Sequence, residues 1–384
     1  MNISDKFIIR KSILELAKTG VPRASSIDQQ IKRSYNEREM EERENLWDCI
    51  TVLGAQLSRP PYDPYRESIS LETSLGRDCN KKVILSMPLL IYDNDTAIEK
   101  HSLQSLHTAL NMLAVNNRTI LGLVSESAAI KDRKYPFFQR IIDRPAEYNF
   151  EGVILEYKGT DSIQILQNIR KEFNGPILIE IIDDAFRENT GQLLDAGADG
   201  IVIDTVRITL KGKLYKDTHA IAVIHDARRV INQHYKGKDN DGATLIVAGD
   251  VNNAGKIIKA AALGADIIGY STSLLIANAE NDQSEIDSNI ETTAERICQH
   301  ILGTKGELRG IPAAMGYSNF HNISPADLRT SNINASLQAD INLEGIDTTY
   351  KNIVEKVLNE YLLLNGLQIV DNEKQQLLRL IVGR

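Results

Sequence analysis

From about residue 80 onward, short apolar runs alternate with longer amphipathic stretches. The runs are Val83-Ile84-Leu85, Thr119-Ile120-Leu121-Gly122-Leu123-Val124, Gly152-Val153-Ile154-Leu155, Pro176-Ile177-Leu178-Ile179, Gly200-Ile201-Val202-Ile203, Thr244-Leu245-Ile246-Val247 and Asp266-Ile267-Ile268-Gly269. They are apolar on consecutive residues rather than on alternate ones. Strands buried on both faces require that pattern, and parallel sheets are built of such strands. The intervening segments are long enough for crossover helices. Two joints share one logic: Asp195-Ala196-Gly197-Ala198-Asp199-Gly200-Ile201 and Ala262-Leu263-Gly264-Ala265-Asp266-Ile267-Ile268. In each, a helix ends at a glycine free to take positive φ, and two small or polar residues lead into a buried strand. A single alternating series of this length predicts an α/β fold, a (β/α)8 TIM-type barrel with helical N- and C-terminal extensions. The eighth strand is the least visible, and Ile50-Thr51-Val52-Leu53 is the nearest candidate. An open doubly wound sheet is the competing arrangement.

Outside that series the pattern changes. Residues 1 to about 58 read as helical, and Ile31 to Asn45 carries nine charges in fifteen residues, the mark of a solvated helix face. The run Ser58-Arg59-Pro60-Pro61-Tyr62-Asp63-Pro64-Tyr65 reads as a loop, because three prolines remove donors and bias their neighbours away from helix. After residue 330 the chain turns polar and then helical again. Ile353, Val354, Val357, Leu358, Tyr361 and Leu362 recur on one face, and Leu377, Leu378, Leu380 and Ile381 form a second stripe. These stripes read as a helical cap packed on the barrel or on a second subunit. The expected organisation is an N-terminal helical extension and Pro-rich loop over 1–75, a barrel over 76–332 and a C-terminal helical extension over 333–384.

Composition narrows the function. The chain has 384 residues, above the roughly 250 of a bare barrel. A net charge of −8 disfavours nucleic acid as a partner, because phosphate neutralisation needs clustered Lys and Arg. No apolar stretch approaches the ~18 residues that span a bilayer, and the start lacks a signal-peptide pattern. The expected partners therefore include no nucleic acid and no membrane, and the expected location is cytoplasmic. Cys49, Cys79 and Cys298 form no CxxC and read as reduced or buried thiols.

The stretch from Leu245 to Ala277 carries the clearest chemistry. A strand runs into Gly249-Asp250-Val251-Asn252-Asn253, then an Ala-rich helix, then a strand ending in Gly269-Tyr270-Ser271-Thr272. Either Asn252 or Asn253 can cap the helix. Two successive βα turns rich in Gly, Ser and Thr near the end of a barrel form a phosphate cradle from backbone N–H groups and a helix N-terminus. A small-molecule ligand with a phosphate group is expected there.

The same stretch, LIVAGDVNNAGKIIKAAALGADIIGYSTSLLIA, resembles the last two βα units of the FMN-binding domain of glutamate synthase. Thr218 to Arg229 is similar to the helix preceding that strand. ELRGIPAAMGYSNFHNISPADLRTSN, Glu307 to Asn332, is similar to the family's closing segment. The resemblance covers roughly residues 80 to 332 and is strongest in the last third. It implies FMN as cofactor, with Gly249, Asp250, Val251, Gly269, Tyr270, Ser271 and Thr272 at its phosphate. Ser86, Met87, Ser125 and Glu126, placed after the first two barrel strands, are implied to border the ring.

The departures are as informative. Where the family has its iron–sulfur cysteines, this chain reads Leu274-Leu275-Ile276-Ala277-Asn278-Ala279-Glu280, so no iron–sulfur cluster is expected. Asn252 replaces an arginine after the glycine turn, and Asp204-Thr205-Val206-Arg207-Ile208-Thr209 replaces a glycine-rich turn. Glu180 stands where the family has a lysine near the flavin pyrimidine, and a reduced flavin favours positive charge there. Bulkier residues also replace a small-residue loop at Leu85-Ser86-Met87-Pro88-Leu89-Leu90.

Glu180, Asp183, Asp184 and Asp204 fall at or just after strand ends, the face on which barrel sites lie. They read as helix caps and loop acids first, and as an acid/base pair or metal site second. The seven histidines show no metal-ligand spacing, and His219 and His225 read as structural. The leading expectation is a divergent FMN-dependent oxidoreductase of the glutamate synthase type, acting on a small amino-acid-related substrate. The alternative is a non-catalytic barrel that has lost flavin chemistry and serves as a binding or assembly subunit with a protein partner or as a homo-oligomer. A third reading uses the carboxylates for redox-neutral chemistry on a phosphorylated metabolite.

Overall fold

The computed structural model describes residues 14–21, 46–76, 79, 81–92, 100–116, 119–126, 131–143, 145, 149–183, 185–205, 208, 219–236, 242–249, 251–271, 289–365, 373–374 and 376–378. In chain order the strands are β1 (Ile50–Val52), β2 (Thr73–Leu75), β3 (Val83–Leu85), β4 (Leu89–Tyr92), β5 (Gly122–Ser125), β6 (Phe137–Ile141), β7 (Gly152–Glu156), β8 (Ile177–Ile181), β9 (Gly200–Asp204), β10 (Thr244–Ala248), β11 (Ile267–Tyr270), β12 (Leu328–Thr330) and β13 (Asn342–Leu343). The helices are α1 (Lys100–Asn116), α2 (Asp161–Glu172), α3 (Phe186–Asp195), α4 (Ala220–Tyr235), α5 (Ala254–Ala262), α6 (Ile290–Met315), α7 (Ile333–Ala339) and α8 (Tyr350–Leu364).

Strands β4 to β11 form a closed barrel of eight strands, all parallel, with β11 pairing β4 to complete the ring. The expected (β/α)8 architecture is therefore the observed one, but two strands differ from the expectation. Val83–Leu85 is not the first barrel strand. It pairs antiparallel with β2 as a hairpin whose Leu75, Val83 and Leu85 join the lumen residues in one buried cluster. That hairpin plugs the N-terminal end, and the barrel begins at Leu89 after Pro88. The eighth strand is Phe137–Ile141, paired with β5 and β7. Ile50–Val52, the sequence candidate for it, instead pairs antiparallel with β12 outside the barrel. Of the N-terminal region expected to be helical, residues 14–19 are helix, and 46–58 are turns and strand β1. The charged stretch Ile31 to Asn45 lies outside the described residues.

The lumen is filled by complementary sizes, as barrels require. Phe138 is fully buried between two strands that each carry a glycine beside it. A Cβ on Gly122 would come within 2.7 Å of the Phe138 ring, and one on Gly152 within 2.3 Å. The upper positions of the same alternation are charged, and this sets up the site described below.

The αβ joints are fastened by one repeated device. At the first, Arg170 of α2 donates to the Gly197 and Gly175 carbonyls and pairs with Asp199. The Asp199 carboxylate also accepts the Ile177 amide at 2.8 Å. At the second, Arg228 of α4 donates to the Gly264 carbonyl at 2.7 Å and pairs with Asp266, which accepts the Leu245 amide at 2.8 Å. Each arginine thus closes a helix end while its aspartate anchors the next strand over. Charge-assisted bonds of this kind stabilise by roughly 1.5–3 kcal/mol each. They lie at the N-terminal face, where conserving structure rather than chemistry is the usual role.

After the barrel, α6 ends at Gly316 in the left-handed conformation, φ 81°. Strand β12 and the amphipathic helix α8 follow. On α8 only Leu362 is buried, while Val357, Tyr361, Leu363 and Leu364 are exposed. The expected stripe is real, and much of it is not covered by this chain's described residues.

Candidate functional site at the C-terminal mouth of the barrel

Side chains alternate between lumen and helix layer along each strand. Leu90, Val124, Phe138, Ile154, Leu178, Val202 and Ile246 form the buried lumen cluster. Two residues further along each strand come Tyr92, Glu126, Arg140, Glu156, Glu180, Asp204 and Ala248. These positions ring the C-terminal mouth.

Glu156 and Glu180 are direct partners in the pairing of β7 with β8. Like charges opposite one another on neighbouring strands destabilise a sheet. Arg140 of β6 resolves the conflict. Its Nε donates to Glu180 Oε2 at 2.7 Å, and its second terminal nitrogen lies 2.6 Å from the same carboxylate. The same nitrogen lies 3.6 Å from Glu156, and the other terminal nitrogen donates to Glu126 at 2.9 Å. Every nitrogen of the guanidinium is thus turned toward a carboxylate. Burial works against the Arg140 charge, but Glu180, Glu126 and Glu156 outweigh it and raise the pKa above its ordinary value. Glu180 is 3% exposed, so the pair is a buried one that would be costly to break.

Tyr92 closes the other side. Its ring packs against Gly269, where a Cβ would come within 2.9 Å of the ring. Its hydroxyl is buried and has no hydrogen-bond partner among the described residues. Burial first, and the Glu180 carboxylate second, push the phenol well above its ordinary pKa, so it stays protonated. Among the described residues, no group of three or more His, Cys, Asp or Glu is arranged to hold a metal ion.

The phosphate-cradle segment lies at the same end. Gly249 follows β10 with φ 113°, a conformation that residues with side chains rarely adopt. The Asn253 side chain accepts from the Lys256 amide at 2.9 Å and caps α5, leaving the first amides of the helix directed outward. Of the two asparagines read as candidate caps, Asn253 is the one used. Thr205 at the end of β9 donates to the Ala248 carbonyl at 3.0 Å and fixes the neighbouring turn.

The structure sorts the residues read from the sequence. Glu126, Gly249 and Gly269 reach the mouth. Val251 is buried among helix-layer residues, so only its backbone is available to a ligand. Ser271 follows β11 and is half-buried. Asp250 and Thr272 lie outside the described residues, as does Asp184. Tyr270 points out of the lumen and meets His300 of α6, hydroxyl to Nε2 2.8 Å. Ser125 shares the outward face of β5 with Leu123.

Ser86 and Met87 require a correction, because they precede β4 and lie at the opposite end of the barrel from the mouth. The Ser86 hydroxyl accepts the Ile120 amide at 2.8 Å, and Met87 is fully buried in the helix-layer core. The cause is the hairpin: the strand they were read as following is the plug. His219 is structural, accepting from the Ile221 amide at the start of α4 and meeting Trp47 edge to face.

Sequence reasoning missed Tyr92, Arg140 and Glu156. Arg140 sits in a strand whose lumen face is mixed, Phe138 below and Arg140 above, and no apolar run announces it. The usable signal was period-two alternation over Phe138, Arg140 and over Leu90, Tyr92.

Comparison with known proteins gives the same architecture. No model of a known protein family matches the sequence. A curated protein of Rhizobium meliloti, named glutamate synthase large subunit-like protein, is 21% identical over 392 aligned residues, spanning 78% of this chain and 87% of its own length. The resemblance seen in the sequence is thus met by a relative named for the same family. Among solved structures, a soluble mutant of the membrane-associated (S)-mandelate dehydrogenase from Pseudomonas putida aligns with TM-score 0.53 and 13% identity, over 84% of this chain and 99% of that one. A sulfite-bound flavocytochrome b2 variant aligns with TM-score 0.53 and 12% identity, over 84% and 91%. A mandelate oxidase mutant with a monooxide FMN adduct aligns with TM-score 0.51 and 13% identity, over 72% and 87%. At these identities the likeness establishes the fold.

Proposed function

We propose that this chain is an FMN-dependent oxidoreductase of the glutamate synthase type, acting on a small amino-acid-related substrate at the C-terminal mouth of its barrel. The observation that carries the reading is the turn after β10. There Gly249, at φ 113°, and the outward amides of capped helix α5 open on the same end as a buried cation, Arg140. Backbone amides at a helix N-terminus suit a phosphate, and a positive charge near the pyrimidine edge suits a reduced flavin.

The described residues fit the group in that respect. The phosphate would be held by the backbone of Gly249, Val251, Gly269 and Ser271, together with Asp250 and Thr272. Glu126 and Tyr92 would border the ring. Arg140 compensates from β6 for the lysine that Glu180 replaces on β8. When bound, FMN supplies hydride transfer. The chain's own part is to bind, orient and exclude water. Tyr92 keeps its proton, Glu180 fixes Arg140, and the missing Cβ of Gly269 leaves room for the phenol ring.

The test is an absorption spectrum of protein purified without added cofactor, repeated after incubation with FMN and desalting. Flavin bands near ~370 and ~450 nm, retained through desalting, are expected. Protein without retained flavin in either sample refutes this reading. The second reading, a binding or assembly subunit, is favoured by a separate observation: Val357, Tyr361, Leu363 and Leu364 on α8 are 59–85% exposed. Apolar exposure of that extent on one helix suits a partner protein or a second copy.

A further inference from the structure

Arg140 is held unequally by the carboxylates around it. Its Nε and the terminal nitrogen Nη2 meet one oxygen of Glu180, at 2.7 and 2.6 Å. Glu180 is 3% exposed and belongs to β8, so this seat is fixed. The other terminal nitrogen, Nη1, donates to a single oxygen of Glu126 at 2.9 Å. Glu126 directly follows β5 and is 48% exposed. An ion pair at that exposure contributes little, because water and salt screen it and a side chain must give up freedom to hold it. Breaking the buried pair instead would leave an uncompensated charge. The guanidinium thus has one permanent partner and one that is displaced at small cost.

The charges around it select what can take that place. Arg140 and Lys158 are the cations of the cluster, and Glu156 lies between them, 3.6 Å from Arg140 and 4.0 Å from Lys158. Glu156 and Glu180 already balance these two cations. Glu126, the most exposed of the three carboxylates, is the one in excess. When it turns out to solvent, Nη1 is left needing an acceptor, since a guanidinium carries donors only. An incoming carboxylate matches it in charge and planar shape. Its arrival restores the number of acidic groups on the cation rather than adding one.

We propose that Glu126 is a displaceable stand-in for a ligand carboxylate: a small carboxylic acid anion takes its place on Arg140 Nη1 while Glu180 holds the rest of the guanidinium. Glu180 is then a positioning residue, and Glu126 sets the affinity that a ligand must exceed. The three side chains belong to the chain itself, so this goes beyond the flavin reading and assigns the chemical handle of the substrate.

The test is isothermal titration calorimetry of the full chain with glutarate and with glutaramide, its uncharged diamide. Wild-type protein is compared with Glu126→Ala, Arg140→Lys and Asp183→Asn, with urea unfolding of each to establish that the fold is intact. Asp183 is the control: it follows β8 and accepts the Ala185 amide at 3.0 Å, a bond that asparagine retains. Glutarate is expected to bind and glutaramide not to bind. Glu126→Ala is expected to bind glutarate about two- to fivefold more tightly, the size of one exposed ion pair, and a damaged fold does not produce a gain. Arg140→Lys, which lacks the planar fork, is expected to bind it about tenfold more weakly. Asp183→Asn should match wild type. Glutaramide binding as tightly as glutarate overturns the proposal, as does binding of neither probe. So does a Glu126→Ala protein that binds no tighter than wild type, an equal gain in Asp183→Asn, or undiminished affinity in folded Arg140→Lys. Flavin retention is read from the absorbance of the same samples. Coloured protein that does not bind glutarate keeps the flavin reading and sinks this one, while colourless protein that binds it does the reverse.

Discussion

The joint at Gly264 allows a sharp test of how the barrel is fastened. Gly264 has φ +112°, and a Cβ placed on it would lie 2.4 Å from Cγ and 2.7 Å from Cβ of Arg228. Gly264→Ala therefore incurs two separate costs. Holding an alanine at that φ costs about 1–2 kcal/mol. Crowding the stem of Arg228, which cannot swing aside without losing its bonds to Gly264, Ala243 and Asp266, costs about 1–3 kcal/mol more. Arg228→Ala alone removes those bonds. Because the pair is roughly one-sixth exposed, water recovers part of the loss, and about 2–3 kcal/mol is expected. In the double variant the φ cost remains and so does the 2.7 Å approach of the two Cβ atoms, but the closer clash with Cγ at 2.4 Å is gone. The pair should then be less destabilising than the sum by about 1–2 kcal/mol, in the range seen for contacting residues. Equilibrium urea unfolding of all four proteins gives the coupling, provided the slope with denaturant is unchanged. The joint at Gly197 is the internal control: φ is similar, +105°, but the Cβ would stand 3.2 Å from Arg170 Cγ, so its coupling should be smaller. Additive costs at Gly264, or equal coupling at both joints, would refute the argument.

Other perturbations separate the mouth from the scaffold. Arg140→Met leaves Glu156 and Glu180 facing each other without their cation, and about 3–5 kcal/mol of stability should be lost in chemical denaturation. Glu126→Gln, at a carboxylate 48% exposed, should cost no more than about 1 kcal/mol; equal losses would show that Arg140 is not held as described. Burial holds the pKa of His300 down, at about 4 against an ordinary 6.5. The unfolded chain therefore binds a proton there before the folded chain does. The stability from this neutral ring is complete above pH 6.5 and is eroded as pH falls through about 4. Wild-type protein should lose up to about 3 kcal/mol more than His300→Gln between pH 7 and pH 4, read from urea midpoints across that range. Parallel pH profiles for the two proteins would disprove it.

How much of this was legible in the sequence depended on what each strand faces. Strands β7 to β11 are apolar on both faces for most of their length, and continuous runs such as Leu245-Ile246-Val247-Ala248 marked them. The Gly-Ala-Asp joints marked where they begin, since a left-handed helix end and an anchoring aspartate need those residue types. Strand β6 was not legible because its lumen side changes from Phe138 to Arg140 within two residues, which breaks an apolar run without breaking the strand. The first strand was misplaced for the opposite reason. Val83-Ile84-Leu85 has the more β-branched run, yet it alternates buried, exposed, buried, as a hairpin over the barrel end must. Ile50–Val52 is a true strand whose partner, Leu328–Thr330, lies far along the chain, where no local pattern reaches.

The candidate site shows the same limit more sharply. Glycine turns announce themselves because few residues can replace them, so the β10–α5 turn was read directly. The charged ring could not be read that way, since Tyr92, Arg140, Glu156 and Glu180 come from four strands and share no spacing. Glu180 alone looked like a lysine lost. In the fold it is the residue that orients Arg140, a positive charge carried by a strand two positions away. What distinguishes this mouth is therefore not missing charge but committed charge: the one guanidinium at its centre is engaged by Glu180 on one side and Glu126 on the other, so the carboxylates that surround it are what hold it in place.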